Sequence, residues 1–357
     1  MAAISWNVFC QFLIKMRLFV FLILTSLLFS EGLNAQTVTG FVYDKETRDP
    51  LVGASVYMDN STIGTSTDFD GAFEISIPEG IESSFVVSFV GYATLVRSKP
   101  DGSQTLKLYL EPDSNLLEEV VLSPDDDWPR ELKLAEFKKH YLGTSLRGRR
   151  CTILNEEDLT LTFSKKHKRL YARTKAPLLI ENRQLQYLIT ADLRAFGLGY
   201  SKVSRNKKNL VSSGVIYKGM NRYKSLDTLN SPAVKQARQQ TYFGSVLHFM
   251  RALRAKTLFA QGYRIMYQGK FIDPEDKISV IPEQGTDKVV VRVADNIEIL
   301  YRGKELSVME VVSNTFYIDS QGNHSPIDKV RFGGVMGDQR MGDALPNDFL
   351  LQETSKN

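Results

Sequence analysis

A mainly β protein is predicted, with an N-terminal antiparallel β-sandwich followed by a mixed α+β part, and three observations point to it. Between Val38 and Leu110, seven short strand-like runs alternate with turn-forming residues, and none has helical period. Beyond Pro129, strand patterns continue with two isolated helical stretches among them. Charge divides the chain near the same place: residues 36–122 hold 14 acidic and 5 basic side chains, whereas residues 123–357 hold 26 and 38. The two parts therefore carry opposite fields, which implies either mutual attraction or a basic half facing an anionic partner.

The chain has 357 residues, 43% of them hydrophobic, enough for two domains with their own cores. Its start is different in kind. Lys15 and Arg17 precede a largely apolar run at 18–29, and a polar stretch ends at Gly32-Leu33-Asn34-Ala35. That order is the order of a secretory signal peptide, so residues 1–35 are expected to be one and the remainder to be exported. The run is shorter than the roughly 20 residues a membrane-spanning helix needs. Whether Met1 or Met16 is the start stays open, as does a retained membrane anchor, and Cys10 follows Asn7-Val8-Phe9, which is not a lipoprotein pattern. Past the signal only Cys151 remains, so no intramolecular disulfide is expected, and a lone thiol reads as a small buried hydrophobe.

In the first part, strands are expected at 38–44, 54–58, 63–67, 73–77, 84–92, 94–98 and 105–110. Asp49-Pro50, Asp59-Asn60, Pro78-Glu79-Gly80 and Pro100-Asp101-Gly102 supply the turns between them. The clearest hairpin runs from Gly64 to Ile77, where Phe73, Ile75 and Ile77 alternate with Glu74 and Ser76 after an Asp-Phe-Asp-Gly turn. Phe85 to Val90 is nearly continuous in apolar residues and reads as a strand covered on both faces, whereas Leu106, Leu108 and Leu110 alternate as if one face were wet. This pattern suits a sandwich of immunoglobulin or prealbumin type. Asp68, Asp70 and Gly71 are read as turn-formers. A calcium loop needs further oxygen ligands, and Glu79, at the closing position, lies beyond a strand.

The runs G-F-V-Y-D-K-E-T-R-D-P-L-V-G-A-S-V, G-T-S-T-D-F-D-G-A-F-E-I, V-S-F-V-G-Y, L-x-L-Y-L-E-P and L-x-E-V-V occur in that order. Together they resemble the carboxypeptidase regulatory-like domain found in exported proteins of Bacteroidetes. The resemblance covers Thr37 to about Leu122 and implies a prealbumin-like sandwich acting as an envelope or binding module. It does not imply a peptidase: zinc carboxypeptidase chemistry commonly opens with His-x-x-Glu, and the third residues after His140, His167, His248 and His324 are Gly143, Leu170, Arg251 and Ile327. The stretch from Leu116 to Leu122 resembles the segment of TonB-dependent receptors read by strand addition, although the 235 residues that follow are too few for a 22-stranded transporter barrel. The plainer reading is a last strand running into an acidic linker at 123–128.

The second part, 129–357, is expected to be α+β. A helix is predicted from Pro129 to Leu142, then strands at 159–163, 169–174, 178–180 and 186–193, with a basic loop at 206–209. Ser231-Pro232 is expected to open the longest helix, with Phe243, Val246, Leu247, Met250 and Leu253 on one face and Gly262 as its stop; His248 beside that face reads as a packed or surface residue. Strands are expected again at 278–281, 288–293, 297–301, 309–312 and 316–319. The runs W-P-R-E-L, F-K-K-H-Y-L-G, C-T-I-L-N, P-L-L-I-E-N, Y-F-G-S-V-L-H-F-M-R-A-L and G-D-A-L-P-N-D-F resemble the tail of related Bacteroidetes proteins, which implies relatedness and no mechanism.

No nucleophile elbow, phosphate-binding loop, dinucleotide fingerprint or paired-cysteine site is present in the sequence. Glu156-Glu157-Asp158 reads as a solvated turn. The expectation is therefore no catalytic, cofactor or metal site, and no nucleic-acid partner given export. The densest basic cluster, Arg147, Arg149 and Arg150 with Lys165, Lys166, Lys168 and Arg169, is the candidate surface for a partner. The functional expectation is a non-enzymatic cell-envelope protein, periplasmic or associated with the outer membrane, binding a glycan or protein. An accessory of TonB-linked uptake and an envelope hydrolase on the α+β part stand as alternatives.

Overall fold

The structure, a computed structural model, describes residues 35–113, 126–204, 206 and 209–351. The expected signal peptide up to Asn34, the strand-addition segment Leu116 to Leu122 and the first half of the acidic linker lie outside the described residues. The described residues are mostly β, 44% strand and 18% helical, in several sheets whose strands pair antiparallel with one exception.

Among the described residues, seven strands build the first part: β1 (Ala35–Asp44), β2 (Ser55–Met58), β3 (Gly64–Ser66), β4 (Ala72–Pro78), β5 (Phe85–Ser88), β6 (Leu95–Arg97) and β7 (Leu106–Leu110). They form two sheets, β4-β1-β7 and β3-β2-β5-β6, around a core that includes Val38, Val42, Phe73, Ile75, Ile77, Phe85 and Leu108. The exception is β1 with β7, which run parallel. All four residues of β5 are buried between β2 and β6, as its continuous apolar run requires, and β7 alternates Leu108 and Leu110 inward with Lys107 and Tyr109 outward.

Residues 129–357 hold two cores. The first forms on a six-stranded sheet: β8 (Cys151–Ile153), β9 (Leu159–Ser164), β10 (Arg169–Thr174), β11 (Leu178–Asn182), β12 (Tyr187–Val203) and β13 (Leu210–Ser225), covered by α1 (Arg130–Tyr141) and flanked by α2 (Leu146–Arg149). One edge of β12 pairs β11 along its first half and β10 along its second, and the other edge pairs β13 along its whole length. The expected linker ends inside this core: Trp128 is 4% exposed, stacked on Phe163 at 4.0 Å, and Asp126 accepts from Lys133 Nζ (2.7 Å) and the Phe163 amide (3.0 Å).

The predicted long helix is two. It splits into α3 (Pro232–Tyr242) and α4 (Val246–Arg254), because Gly244 takes φ +78 and Ser245 caps the second helix, accepting from the His248 amide. Among the described residues the longest helix is instead α1, with 12 residues. The second core lies between α4 and two sheets built from β14 (Tyr263–Tyr267), β15 (Lys270–Ile272), β16 (Ile278–Pro282), β17 (Val289–Val293), β18 (Ile297–Tyr301), β19 (Glu305–Val311), β20 (Thr315–Ile318), β21 (His324–Ser325) and β22 (Val330–Gly333). Their orders are β15-β14-β18-β19-β22 and β16-β17-β20-β21. Among the described residues, no helix is long and apolar enough to cross a membrane.

Candidate functional site

The place where all three cores meet is a polar junction centred on the turn between β2 and β3. Asp59 Oδ1 accepts from the Asn221 amide (2.8 Å), the Asn60 amide donates to the Asn221 carbonyl (2.7 Å), and the Asn221 side-chain amide donates to Asn60 Oδ1 (2.8 Å). Next to these, the Tyr223 amide donates to the Ser61 carbonyl (2.9 Å), and Ser61 and Arg222 form a parallel bridge, so the sandwich extends the outer edge of β13 by a short strand-like step. Arg222 completes it, donating to the Thr65 carbonyl at 3.1 Å. A second contact, Thr94 Oγ1 to Asp192 Oδ2 at 2.8 Å, ties the start of β6 to the middle of β12.

The C-terminal run G-D-A-L-P-N-D-F straps this junction. The Asn347 amide donates to the Asn60 carbonyl (2.6 Å), and Asp348 accepts from both the amide and the hydroxyl of Thr62. Arg251 on α4 holds the strap from the other side, donating to the carbonyls of Asn347 and Phe349, each at 2.7 Å, and to that of Gln321 at 2.8 Å. Two stretches that are far apart in the chain are thus joined by one guanidinium. Burial, opposed by the amides it accepts from, pushes the Asp59 carboxyl up to about 6.

His248, from the same helix as Arg251, is 2% exposed. Its Nδ1 accepts from the Gly244 amide (3.2 Å) and lies 2.9 Å from the Tyr263 hydroxyl, so the ring proton sits on Nε2, facing Gln261 Oε1 at 3.1 Å. Burial lowers its pKa. This is a packed, fully bonded histidine that closes the bend between α3 and α4.

The residues singled out in the sequence fall in separate places. Asp68 Oδ1 accepts from the amides of Asp70 (3.0 Å) and Ala72 (2.8 Å), while Gly71 takes φ +72 with the Val42 carbonyl 2.7 Å from where a Cβ would stand. The turn is not the hairpin expected from Gly64 to Ile77, because β3 pairs β2 in one sheet and β4 pairs β1 in the other, so it carries the chain between the two sheets; it leaves Asp70 exposed and Phe69 87% exposed. The basic cluster is not one surface. Arg147, Arg149 and Arg150 precede β8, which reaches β12 through β11 at Tyr187, whereas Lys165, Lys166, Lys168 and Arg169 make the β9–β10 turn, beside Gly199. Twelve strand residues separate these ends, on the order of 40 Å at ~3.3 Å each. Arg147 is engaged with buried Asp343 at 3.3 Å, Lys165 with Asp127 at 3.3 Å, and Arg169 lies across Gly197. The carboxylates at 156–158 form a single 3-10 turn, with Glu156 paired to Lys138. Cys151 is half-buried, and burial pushes its thiol up to about 12. Among the described residues, no group of three or more His, Cys, Asp or Glu side chains is placed to hold a metal.

Residues 38–122 match the model of the CarboxypepD_reg-like domain. The TonB-dependent receptor SusC of Bacteroides thetaiotaomicron is 41% identical over 86 residues in this region, which are 24% of this chain and 8% of the receptor. Among solved structures, a protein of unknown function from Bacteroides fragilis is 10% identical with a TM-score of 0.17, covering 79% of this chain and 92% of its own. A 9R-lipoxygenase from Cyanothece is 11% identical at the same TM-score, covering 64% and 49%. Likenesses that weak carry no argument, and the receptor match concerns the sandwich alone.

Proposed function

We propose that the sandwich is an accessory module of TonB-linked uptake at the outer membrane, held by the α+β part through the strapped junction. The observation supporting this reading is the 41% identity over 86 residues to a segment of a TonB-dependent receptor. The geometry is compatible with a docking role. One edge of the sandwich, near β3, is engaged by β13, while β6 at the opposite edge of that sheet leaves Val96 46% exposed. The reading narrows a glycan- or protein-binding envelope module to one with a protein partner, and places the role on strand edges and loops, where neither metal nor nucleophile is required.

The test is envelope fractionation followed by in-cell crosslinking and mass spectrometry on the full chain. The expected result is recovery with the outer membrane and crosslinks from Lys99 or Lys107 to a TonB-dependent receptor or to TonB. Recovery in the cytosol, or crosslinks from those lysines only to proteins outside the uptake machinery, would overturn the reading.

A further inference from the structure

We infer that the outer edge of β13, from Leu210 to Met220, is a docking site for an acidic, extended polypeptide segment that adds to the six-stranded sheet as a further strand. This inference is independent of the uptake reading, since it rests on the α+β part alone.

The backbone is the first ground. β13 is a 16-residue strand paired with β12 on one side; on its other side the sandwich covers only Asn221–Tyr223, and residues 210–220 pair with no further strand among the described residues. The Tyr223 amide and the Asn221 carbonyl point to that outer side, because both are bonded to the sandwich. Strand groups alternate with a period of two, so the amides and carbonyls of Val215, Tyr217 and Gly219 point the same way, toward water. The extra residues at the register shifts are Arg194 and Ser201 on β12 and Ser213 on β13, which leaves Gly214 to Tyr223 as one uninterrupted edge. Natural sheets blunt such an edge with proline, several lysines or a cover. Residues 210–220 have no proline and one lysine, Lys218, and they expose Val211 and Ile216 at 50% and 57%.

Charge selects the partner. Residues 193–226 contain eight basic side chains and no acidic one, and Lys202, Lys218 and Lys224 are exposed. A second copy of this chain would bring the same positive charge to the contact, which disfavours self-pairing. Ile216, Lys218 and Lys224 share the face turned away from the core, whereas Val215 and Tyr217 pack against it, so an extended segment whose carboxylates and apolar residues alternate along that one outer face meets both the lysines and the exposed isoleucine, with main-chain hydrogen bonds supplying the affinity.

The probe is a capped, fluorescein-labelled decapeptide, Glu-Thr-Val-Thr-Glu-Thr-Val-Thr-Glu-Thr (termed Glu-Val), which carries Glu and Val on one face of a strand; it is titrated into the full chain and followed by anisotropy and residue-resolved hydrogen exchange. The matching Lys-Val decapeptide and heparin, a polyanion without a strand backbone, are the controls. Expected are binding at least about tenfold tighter for Glu-Val than for Lys-Val, weakening with salt, and exchange at Val215, Tyr217 and Gly219 that is fast in the free chain and slowed at least about tenfold at saturation. Lys218→Glu should weaken Glu-Val binding while leaving the melting temperature unchanged. The inference fails if Glu-Val does not bind, if it binds as heparin does without slowing those three amides, or if the amides are already slow in the free chain.

Discussion

Strand β13 shows its outer edge to two different surroundings, and the comparison separates what builds the molecule from what the molecule can offer. At Asn221–Tyr223 the edge is consumed: Asn221 and Tyr223 bond to the turn between β2 and β3, Arg222 reaches the Thr65 carbonyl on β3, and Tyr223 is buried at 2% against Tyr187, edge to face at 5.6 Å. From Leu210 to Met220 the same edge meets solvent, and the side chains turn small or mixed, with Gly214, Gly219 and two serines. The backbone groups are the same in both halves. What differs is whether neighbouring side chains satisfy and cover them, so a strand's role follows from its flanks as much as from its own hydrogen-bonding capacity.

The largest break in this comparison is Tyr223→Ala. Removing a fully buried aromatic from the covered half costs about 3–5 kcal/mol through lost burial and the cavity left behind, and equilibrium urea unfolding should register it as a lower midpoint at unchanged slope. A midpoint shift no larger than that of an exposed residue would mean that the packing around Tyr187 and Tyr223 does not hold this half together.

Arg251→Ala strikes the strap instead of the strand. Three charge-assisted hydrogen bonds to the carbonyls of Gln321, Asn347 and Phe349 are lost together. Bonds of this kind are worth about 1.5–3 kcal/mol each and are not additive, so a loss of about 2–4 kcal/mol is expected. Limited proteolysis should then cut near Ala344 to Phe349 faster than in the wild type. Equal cutting rates would show that Asn347 and Asp348 stay seated on the sandwich without the guanidinium.

A smaller effect, with a pH signature, belongs to Asp59. Its carboxyl titrates at about 6 in the junction against 3.8 in the absence of the fold, chiefly because it is buried. The folded state therefore opposes ionisation: the penalty is absent below about pH 4, grows between pH 4 and 6, and is full above about pH 6. Asp59→Asn keeps an oxygen for the Asn221 amide and removes the charge. Its stability relative to wild type should improve by about 1–3 kcal/mol between pH 4 and pH 8, read by denaturant unfolding at both pH values. A difference that stays constant across that range would show that the carboxylate is as well solvated in the junction as outside it.

The sandwich was legible from the chain because its strands follow period two closely: Phe73, Ile75 and Ile77 are all buried and Glu74 and Ser76 are exposed. The bend between α3 and α4 was not, since Phe243, Val246, Met250 and Leu253 keep helical spacing across it. The local signal was Gly244-Ser245, a positive-φ glycine followed by an N-cap, set inside an apolar run. β13 escaped notice because no face of V-S-S-G-V-I-Y-K-G-M alternates cleanly; only the absence of any acidic residue from 193 to 226 marked the hairpin. The junction was invisible for a different reason. Asp59 and Asn60 look like turn punctuation, and their partners, Asn221 and Asn347, lie more than 160 residues along the chain, where no local pattern reaches. The same distance explains why N-D-F near the C-terminus read as relatedness alone, although Asn347 and Asp348 bond directly to the sandwich.

Ile216→Ala is the smallest change expected, and the most direct test of the contrast along β13. The side chain is 57% exposed, so its removal takes little apolar area out of the folded state and leaves the amide pairing with β12 in place. Exposed substitutions away from special features stay within about 0.5 kcal/mol, and the urea midpoint should hardly move. The same variant should nonetheless weaken binding of the Glu-Val decapeptide, because the exposed isoleucine is an apolar group available to a strand added at this edge. A substitution silent in stability and visible in binding would separate the open half of β13 from the covered half, where Tyr223→Ala is expected to be costly to the fold itself. If Ile216→Ala destabilises the chain as Tyr223→Ala does, the outer edge is already covered in solution and the two halves of the strand are alike.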